Sequence, residues 1–366
     1  MNMRISRLNT GFAAAFLGIS LLLGGCAQTE ESQGAFDVSP EAAGKLKVAV
    51  TLFPYYDFVR QIAGDQVDLQ MVIPAGMDSH SFEPTPADIR TIQHADVLIS
   101  NGGTMEHWLD ETLAALDTTN MTIVTMMDYV DTVEEEIVEG MEDADHDHDH
   151  AHVHAADDHD HSNETPEEHA AHAHEADDHD YVDHDGHEEE IEYDEHIWTS
   201  PVNVMKLVDV IGDTLAEADP AHADTYHQGA ENYKKELEEI DAGFREVSAN
   251  RKRNMIVMGD KFPFRYLADE YQLDYRAAFS GCSSDTEPSA KTIAYLIDKV
   301  KEEQIPAVYY LELSSHRVAE IIGEETGAEP LLLHSCHNVT RAQFDAGITY
   351  AGLMRQNIEN LRKGID

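Results

Sequence analysis

Short apolar runs alternate with amphipathic stretches through two separate blocks of the chain. In the first block, Lys45–Thr51 (KLKVAVT), Val67–Ile73, Asp96–Ser100 and Met121–Thr125 predict strands. Tyr55–Ala63, Pro86–His94 and Met105–Leu116 between them carry helical periodicity. The second block repeats the pattern, with strands at Met255–Met258, Tyr275–Phe279, Ala307–Leu313 and Pro330–Leu333. Its helices are expected at Phe264–Tyr271, Ser289–Glu303, Ser315–Thr326 and Tyr350–Arg362. Short buried strands interleaved with helices argue for parallel sheets covered on both faces. Between the blocks, Pro201–Glu217 predicts a helix with proline at its first position, and Asp219-Pro220 breaks it. Ala221–Ser248 then runs helically for about 40 Å at the usual rise per residue, long enough to act as a strut. The expected fold is therefore α/β: two (β/α) lobes with short parallel sheets, joined by a long rigid helix, with one cleft between them. Ligands in such sheets sit at the carboxyl ends of the strands, so the cleft should be lined by the segments that follow them.

One stretch fits neither pattern. Met141–Glu195 contains thirteen of the 22 histidines and no Lys or Arg, and little in it is large and apolar. The histidines are His146, His148, His150, His152, His154, His159, His161, His169, His172, His174, His179, His184 and His187, most of them beside Asp or Glu. Such a composition cannot build a packed core. Imidazole and carboxylate bind divalent cations, so the tract reads as an auxiliary metal-binding loop inserted in the first lobe.

The ends place the protein. Arg4 and Arg7 precede an apolar run from Gly11 to Leu23, too short for a permanent span and suited to export. Leu23-Gly24-Gly25-Cys26 resembles a bacterial lipobox, which makes Cys26 the expected lipidated N-terminus. The expected organisation is a signal peptide at 1–25, a flexible tether at 26–44 and an N-terminal lobe at 45–200 holding the 141–195 tract. Linking helices at 201–250 and a C-terminal lobe at 251–366 follow. The net charge of −48 excludes nucleic acid as a partner, because phosphate binding needs the opposite sign. Outside Cys26 only Cys282 and Cys336 remain, a disulfide candidate in an oxidising compartment and, alternatively, two thiolates for a zinc site.

Three loops at strand ends or helix starts offer histidine outside the tract. They are Pro74–Pro84 with His80, Asp194–Pro201 with His196, and the segment after Leu333 with His334 and His337. Imidazoles from different elements, with an oxygen ligand or water completing a tetrahedron, are how zinc sites are built. Trp198, Phe82 and Phe262 are expected to wall the cleft. His94, His107, His222, His227 and His316 fall on helices or helix starts and read as surface residues.

The segments GMDSHSFEPTPADI, DEHIWTSPVN and ADPAHADTYHQGAENY resemble the solute-binding lipoproteins of bacterial zinc and manganese ABC importers. The likeness extends over about residues 45 to 363, and a His-rich insert ahead of the second motif is typical of the zinc-selective branch. It implies His80 and His196 as metal ligands, two lobes joined by one long helix, and a monomeric, lipid-anchored receptor. Such a receptor delivers Zn²⁺, with Mn²⁺ the nearest rival, to a permease driven by a cytoplasmic ATPase. The chain departs from the family at Met258-Gly259-Asp260-Lys261-Phe262, where Gly259 occupies the place of a usual histidine. His334 is then the expected third imidazole, with His337 as the alternative. Glu312 matches a carboxylate that the family places near the metal, and reads equally well as a buried acid bonding backbone amides. An exported zinc hydrolase with Glu312 as base is disfavoured, since no HEXXH-type helix or Gly-X-Ser-X-Gly elbow is present. An adhesin or extracellular metal buffer would use the same residues; no enzymatic role is expected.

The two metal-binding regions should separate in solution. Deleting Asp145–His187 is expected to remove several weak sites from a zinc calorimetric titration and leave one tight site unchanged. Loss of the tight site as well would place the tract within the primary centre.

Overall fold

Val48, Ala49 and Val50 are fully buried at the middle of the first sheet, which grows outward from them in both directions. The computed structural model describes residues 36, 44–141, 192–281, 283 and 287–366. Cys26, Cys282 and all thirteen histidines from His146 to His187 lie outside these residues. The first lobe contains β1 (Leu46–Val50), α1 (Phe53–Ala63), β2 (Val67–Met71), α2 (Pro86–Gln93), β3 (Val97–Ser100), α3 (His107–Ala114) and β4 (Thr122–Thr125). Its four strands run parallel in the order β2-β1-β3-β4, with Val48 opposite Leu69 on one side and Val97 on the other. The chain on either side of the acidic tract is drawn together by an antiparallel bridge between Glu134 and Tyr193, and Asp194 N–H donates to Val133 O at 3.0 Å.

Two helices follow, α4 (Pro201–Ala218) and α5 (Ala223–Asn250), packed against each other. Ser200 caps α4 by accepting from Asn203 N–H, and Pro201 fills the first turn, where a missing N–H costs nothing. In α5 the residues Tyr226, Ala230, Tyr233, Leu237, Ile240, Phe244 and Val247 are all buried. Their alternating spacing of four and three keeps one stripe inward along the whole 28-residue helix. That stripe meets α1 of the first lobe and α10 of the second, so the strut belongs to both. Gly229 lies where α5 crosses the end of α1: a Cβ there would collide with the Ile62 backbone. The cost of glycine inside a helix is accepted for this close approach.

The second lobe comprises β5 (Met255–Val257), β6 (Lys261–Phe262), α6 (Arg265–Tyr271), β7 (Asp274–Arg276), β8 (Phe279–Ser280) and α7 (Ala290–Glu302). It continues with β9 (Ala307–Tyr310), α8 (Arg317–Thr326), β10 (Glu329–Leu332), α9 (Arg341–Asp345) and α10 (Tyr350–Ile365). β7 pairs with β5 and β9 with β10, all parallel, and a bridge between Met258 and Tyr309 joins the two pairs into one row. The single strand expected at Tyr275–Phe279 is interrupted. Ala278 N–H turns to Asp260 O at 3.1 Å, and the chain resumes as β8 beside β6. Among the described residues no helix is long and apolar enough to cross a membrane.

A buried carboxylate ties the last helix to the first lobe. Asp57 of α1 is fully buried and accepts from Arg60 Nη2 at 2.6 Å, Gln61 Nε2 at 3.0 Å and Tyr350 N–H at 2.6 Å. Arg60 Nη2 also donates to Ile348 O at 2.7 Å. Asp57→Ala would strip the half-buried Arg60 of its carboxylate partner and leave the buried Tyr350 amide unpaired. It is expected to lower unfolding free energy by about 3 kcal/mol in urea titration; a change within the error of the wild-type midpoint would show the ion pair to be dispensable.

Candidate metal centre

Three histidines converge at the mouth of the cleft. His80 sits in a single 3₁₀ turn, Ser79–Ser81, after β2, and Asp78 caps it by accepting from His80 N–H at 3.0 Å. His196 opens a second 3₁₀ turn, Ile197–Thr199, that leads into α4. His337 follows β10. The ring centroids lie 5.7 Å (His80–His196), 5.3 Å (His80–His337) and 5.6 Å (His196–His337) apart, a nearly equilateral triangle. One nitrogen from each ring lies within 4.8 Å of those of the other two, and this is the only such histidine, cysteine or carboxylate group among the described residues.

Each ring is held by a different device. Asp194 accepts from His196 N–H at 2.8 Å and faces Nδ1 at 3.2 Å, which leaves Nε2 for the cleft. Such carboxylate–imidazole pairing fixes the tautomer a metal needs. Burial pulls the His196 pKa down, but Asp194 and Glu195 outweigh it and the net shift is upward. His80 moves the other way: burial and repulsion from His196 lower it to about 4. His337 is pushed well below the usual range, by burial first and then by its two histidine neighbours. Its Nε2 meets Ser79 Oγ and lies 3.0 Å from Met105 Sδ, while its ring packs on Trp198 with centroids 5.2 Å apart.

The loop that delivers His337 is fastened at every step. Asn357 of α10 holds His334 by two bonds, accepting from its N–H at 2.8 Å and donating to its carbonyl at 2.7 Å. Ser335 donates to Glu312 through its N–H at 2.8 Å and through its hydroxyl. The Ser335 carbonyl accepts from Trp198 Nε1 at 2.8 Å, and its hydroxyl accepts from His337 N–H at 3.1 Å. Asn338 Nδ2 reaches across to Pro74 O and Met77 O at 2.9 and 2.8 Å, pinning this loop to the one that carries His80.

The structure brings His337, and not His334, to His80 and His196. The backbone clamp from Asn357 turns His334 inward. Its Nδ1 accepts from Cys336 N–H at 3.0 Å, and its Nε2 is buried with no hydrogen-bond partner, so the ring stays out of the triangle. Cys336 adopts a left-handed conformation, φ +62°, and this bend brings the next residue round to the cleft. Cys336 carries a free, buried thiol whose Sγ faces His334 O at 3.7 Å; Cys282, the other half of the expected bridge, lies outside the described residues. Burial holds that thiol well above its ordinary pKa, which suits neither thiolate nor ligand. Glu312 also stands outside the triangle. It lines the cleft with both carboxylate oxygens engaged by Ser335, and so places the His337 loop, in line with the amide-bonding reading.

Tight packing at Gly259 accounts for the missing histidine in the first loop of the second lobe. A Cβ there would sit 2.8 Å from Ala319 N and 3.0 Å from Ala319 Cα, flush against α8. A histidine does not fit unless the helix moves. Of the expected wall residues, Trp198 packs on His196 and His337, whereas Phe82 pairs with Trp108 and Phe262 stacks on Tyr275. His94, His107, His222, His227 and His316 are exposed as expected, although His316 also lines the rim of the cavity. The roles of Asp194, Ser335 and Asn338 escaped sequence reasoning; only Asp194, two residues before His196, carried a readable signal.

The comparisons with known proteins agree with this architecture. Residues 48–364 match the family model described as zinc-uptake complex component A, periplasmic (ZnuA). The zinc-binding protein AdcA of Streptococcus pyogenes is 31% identical over 325 residues, covering 89% of this chain but 57% of AdcA, so the chain spans little more than half of that relative. The high-affinity zinc uptake system protein ZnuA of Bacillus subtilis is 29% identical over 345 residues, 94% of both chains. Among solved structures, the Zn(II)-bound ZnuA-like domain of Streptococcus pneumoniae AdcA superposes with a TM-score of 0.64 at 27% identity, over 88% of this chain and all of that one. The metal-dependent lipoprotein YcdH of Bacillus subtilis gives 0.65 at 26%, over 88% and 99%. With a match that runs through both lobes and the helices between them, the chain belongs to the ZnuA family.

Proposed function

We propose that this protein is an extracytoplasmic receptor that captures Zn²⁺ on His80, His196 and His337 and hands it to a membrane permease powered by a cytoplasmic ATPase. The observation that carries the reading is the triangle of imidazoles drawn from three separate loops. Tetrahedral zinc with nitrogen ligands at 2.0–2.1 Å needs donors about 3.3 Å apart. Donors already within 4.8 Å of one another need only a small contraction. Three neutral nitrogen donors favour zinc over manganese, which prefers oxygen-rich sites. The three imidazoles leave one position open, and an incompletely caged ion is easier to release than one in a closed structural site. The receptor works as a monomer tethered through lipidated Cys26, and the His-rich tract supplies further, weaker sites for the ion. The receptor acts as a binding protein: both oxygens of Glu312, the candidate base, are bonded to Ser335.

Alanine substitutions separate the histidines. His337→Ala and His196→Ala are each expected to weaken zinc binding about 100-fold or more in a chelator competition assay, as loss of a direct ligand should. His334→Ala should change it only a few-fold. Equal losses at His334 and His337 would refute the assignment.

The pKa shifts set the pH dependence. Zinc binds neutral imidazole, and His196 holds its proton above the ordinary histidine pKa. Affinity should therefore fall about tenfold per pH unit once pH drops through the raised His196 value, with one proton displaced per zinc. His80, lowered to about 4, should add nothing until far more acid conditions. Asp194→Asn removes the charge that raises His196, so the onset should move to lower pH. Calorimetry in buffers of different ionisation enthalpy counts the protons; an unshifted onset would show that Asp194 does not govern the ring.

A further inference from the structure

The space beside the three imidazoles is far larger than a bare ion requires. A cavity of about 410 Å³ adjoins His80, His196 and His337, a volume typical of small-molecule pockets. Of the carboxylates that line it or stand behind its histidines, four already serve protein donors. Asp194 serves His196, and Asp78 accepts from the His80 amide. Asp260 accepts from the amides of Lys261 and Leu311, at 2.9 and 3.3 Å, and Glu312 holds Ser335. Lys261, in contrast, lines the cavity and makes no ion pair with any described residue, in a chain whose net charge is −48. Its positive charge is felt at both His80 and His337.

These facts leave a charge to be balanced. A divalent ion on three neutral imidazoles keeps its full charge and one open coordination position. Lys261 adds a further positive charge beside it, which by itself disfavours the cation. An anion that fills the open position and also accepts from the Lys261 ammonium satisfies both groups at once. Carboxylate suits the task, since it has two oxygens, is a good oxygen ligand for zinc and forms charge-assisted hydrogen bonds with ammonium. We propose that the cleft takes its metal together with a small carboxylate-bearing molecule, one oxygen completing the tetrahedron and the carboxylate pairing with Lys261. The cargo is then a metal–carboxylate complex, with the rest of the molecule occupying the cavity between Lys261 and the loop around Ser314. This inference rests on the three-histidine metal site argued above.

Co²⁺ loaded into the metal-free protein is the probe, because its visible absorption reports the ligands that surround it. Adding acetate at constant ionic strength, balanced with perchlorate, should change the spectrum saturably, and saturating acetate should tighten zinc binding about tenfold, the scale of one charge-assisted hydrogen bond. Lys261→Met should lose the acetate response and Lys261→Arg should retain it. A cobalt spectrum that acetate leaves unmoved would overturn the proposal. If acetate then acts only in Glu287→Gln, the open position belongs to the chain's own Glu287, another residue of the cavity wall. An undiminished response in Lys261→Met would overturn the assigned role of the lysine. Absence of any cobalt spectrum would remove the metal site itself, an outcome distinct from a loaded site indifferent to acetate.

Discussion

The segment from Leu333 to Asn338 is the constraint on which the rest of the centre depends. It leaves the last strand of the second lobe, takes its backbone bonds from α10, Glu312 and Trp198, and ends by gripping the loop that carries His80. Neither sheet alone could place His337 so exactly opposite the histidines of the first lobe. Because the grip falls on backbone carbonyls and amides, it fixes the direction of the chain and leaves the imidazole free for other work. Buried polar groups satisfied in this mutual way give a single arrangement in preference to several similar ones.

The electrostatics follow from that placement. Three imidazoles pressed together and dehydrated resist protonation, and two of them yield to this with lowered pKa values. His196 does not, because Asp194 sits directly behind it. Asp194, helped by Glu195, thus sets apart one of three chemically equal side chains, raising its pKa while the other two are lowered.

The fold was legible in the sequence because its signals are local and redundant. Strand runs such as Lys45–Thr51 and the long polar helix after Asp219-Pro220 each announce themselves, and the strut begins and ends within two residues of its expected bounds. His80 and His196 were readable for a similar reason, being embedded in dense turn motifs beside Pro and Asp. The third histidine was not, because the choice between His334 and His337 turns on the backbone angle at Cys336 and on a side chain, Asn357, twenty-three positions from His334. A left-handed cysteine has no sequence signature of the kind glycine supplies.

The distance along the chain between the converging loops has a consequence for how the protein matures. Ser79 and His337, in contact across the triangle, are 258 positions apart, and the acidic tract lies between them. No fragment of the chain contains the whole site, and closing so large a loop is among the costlier steps of folding. The triangle can therefore exist only after both lobes and the strut have docked. Metal bound there favours the complete native state over every partly assembled one, and raises global stability with the free metal concentration. On the proposed reading the metal thus becomes a test of assembly: a molecule that has not finished folding cannot hold it.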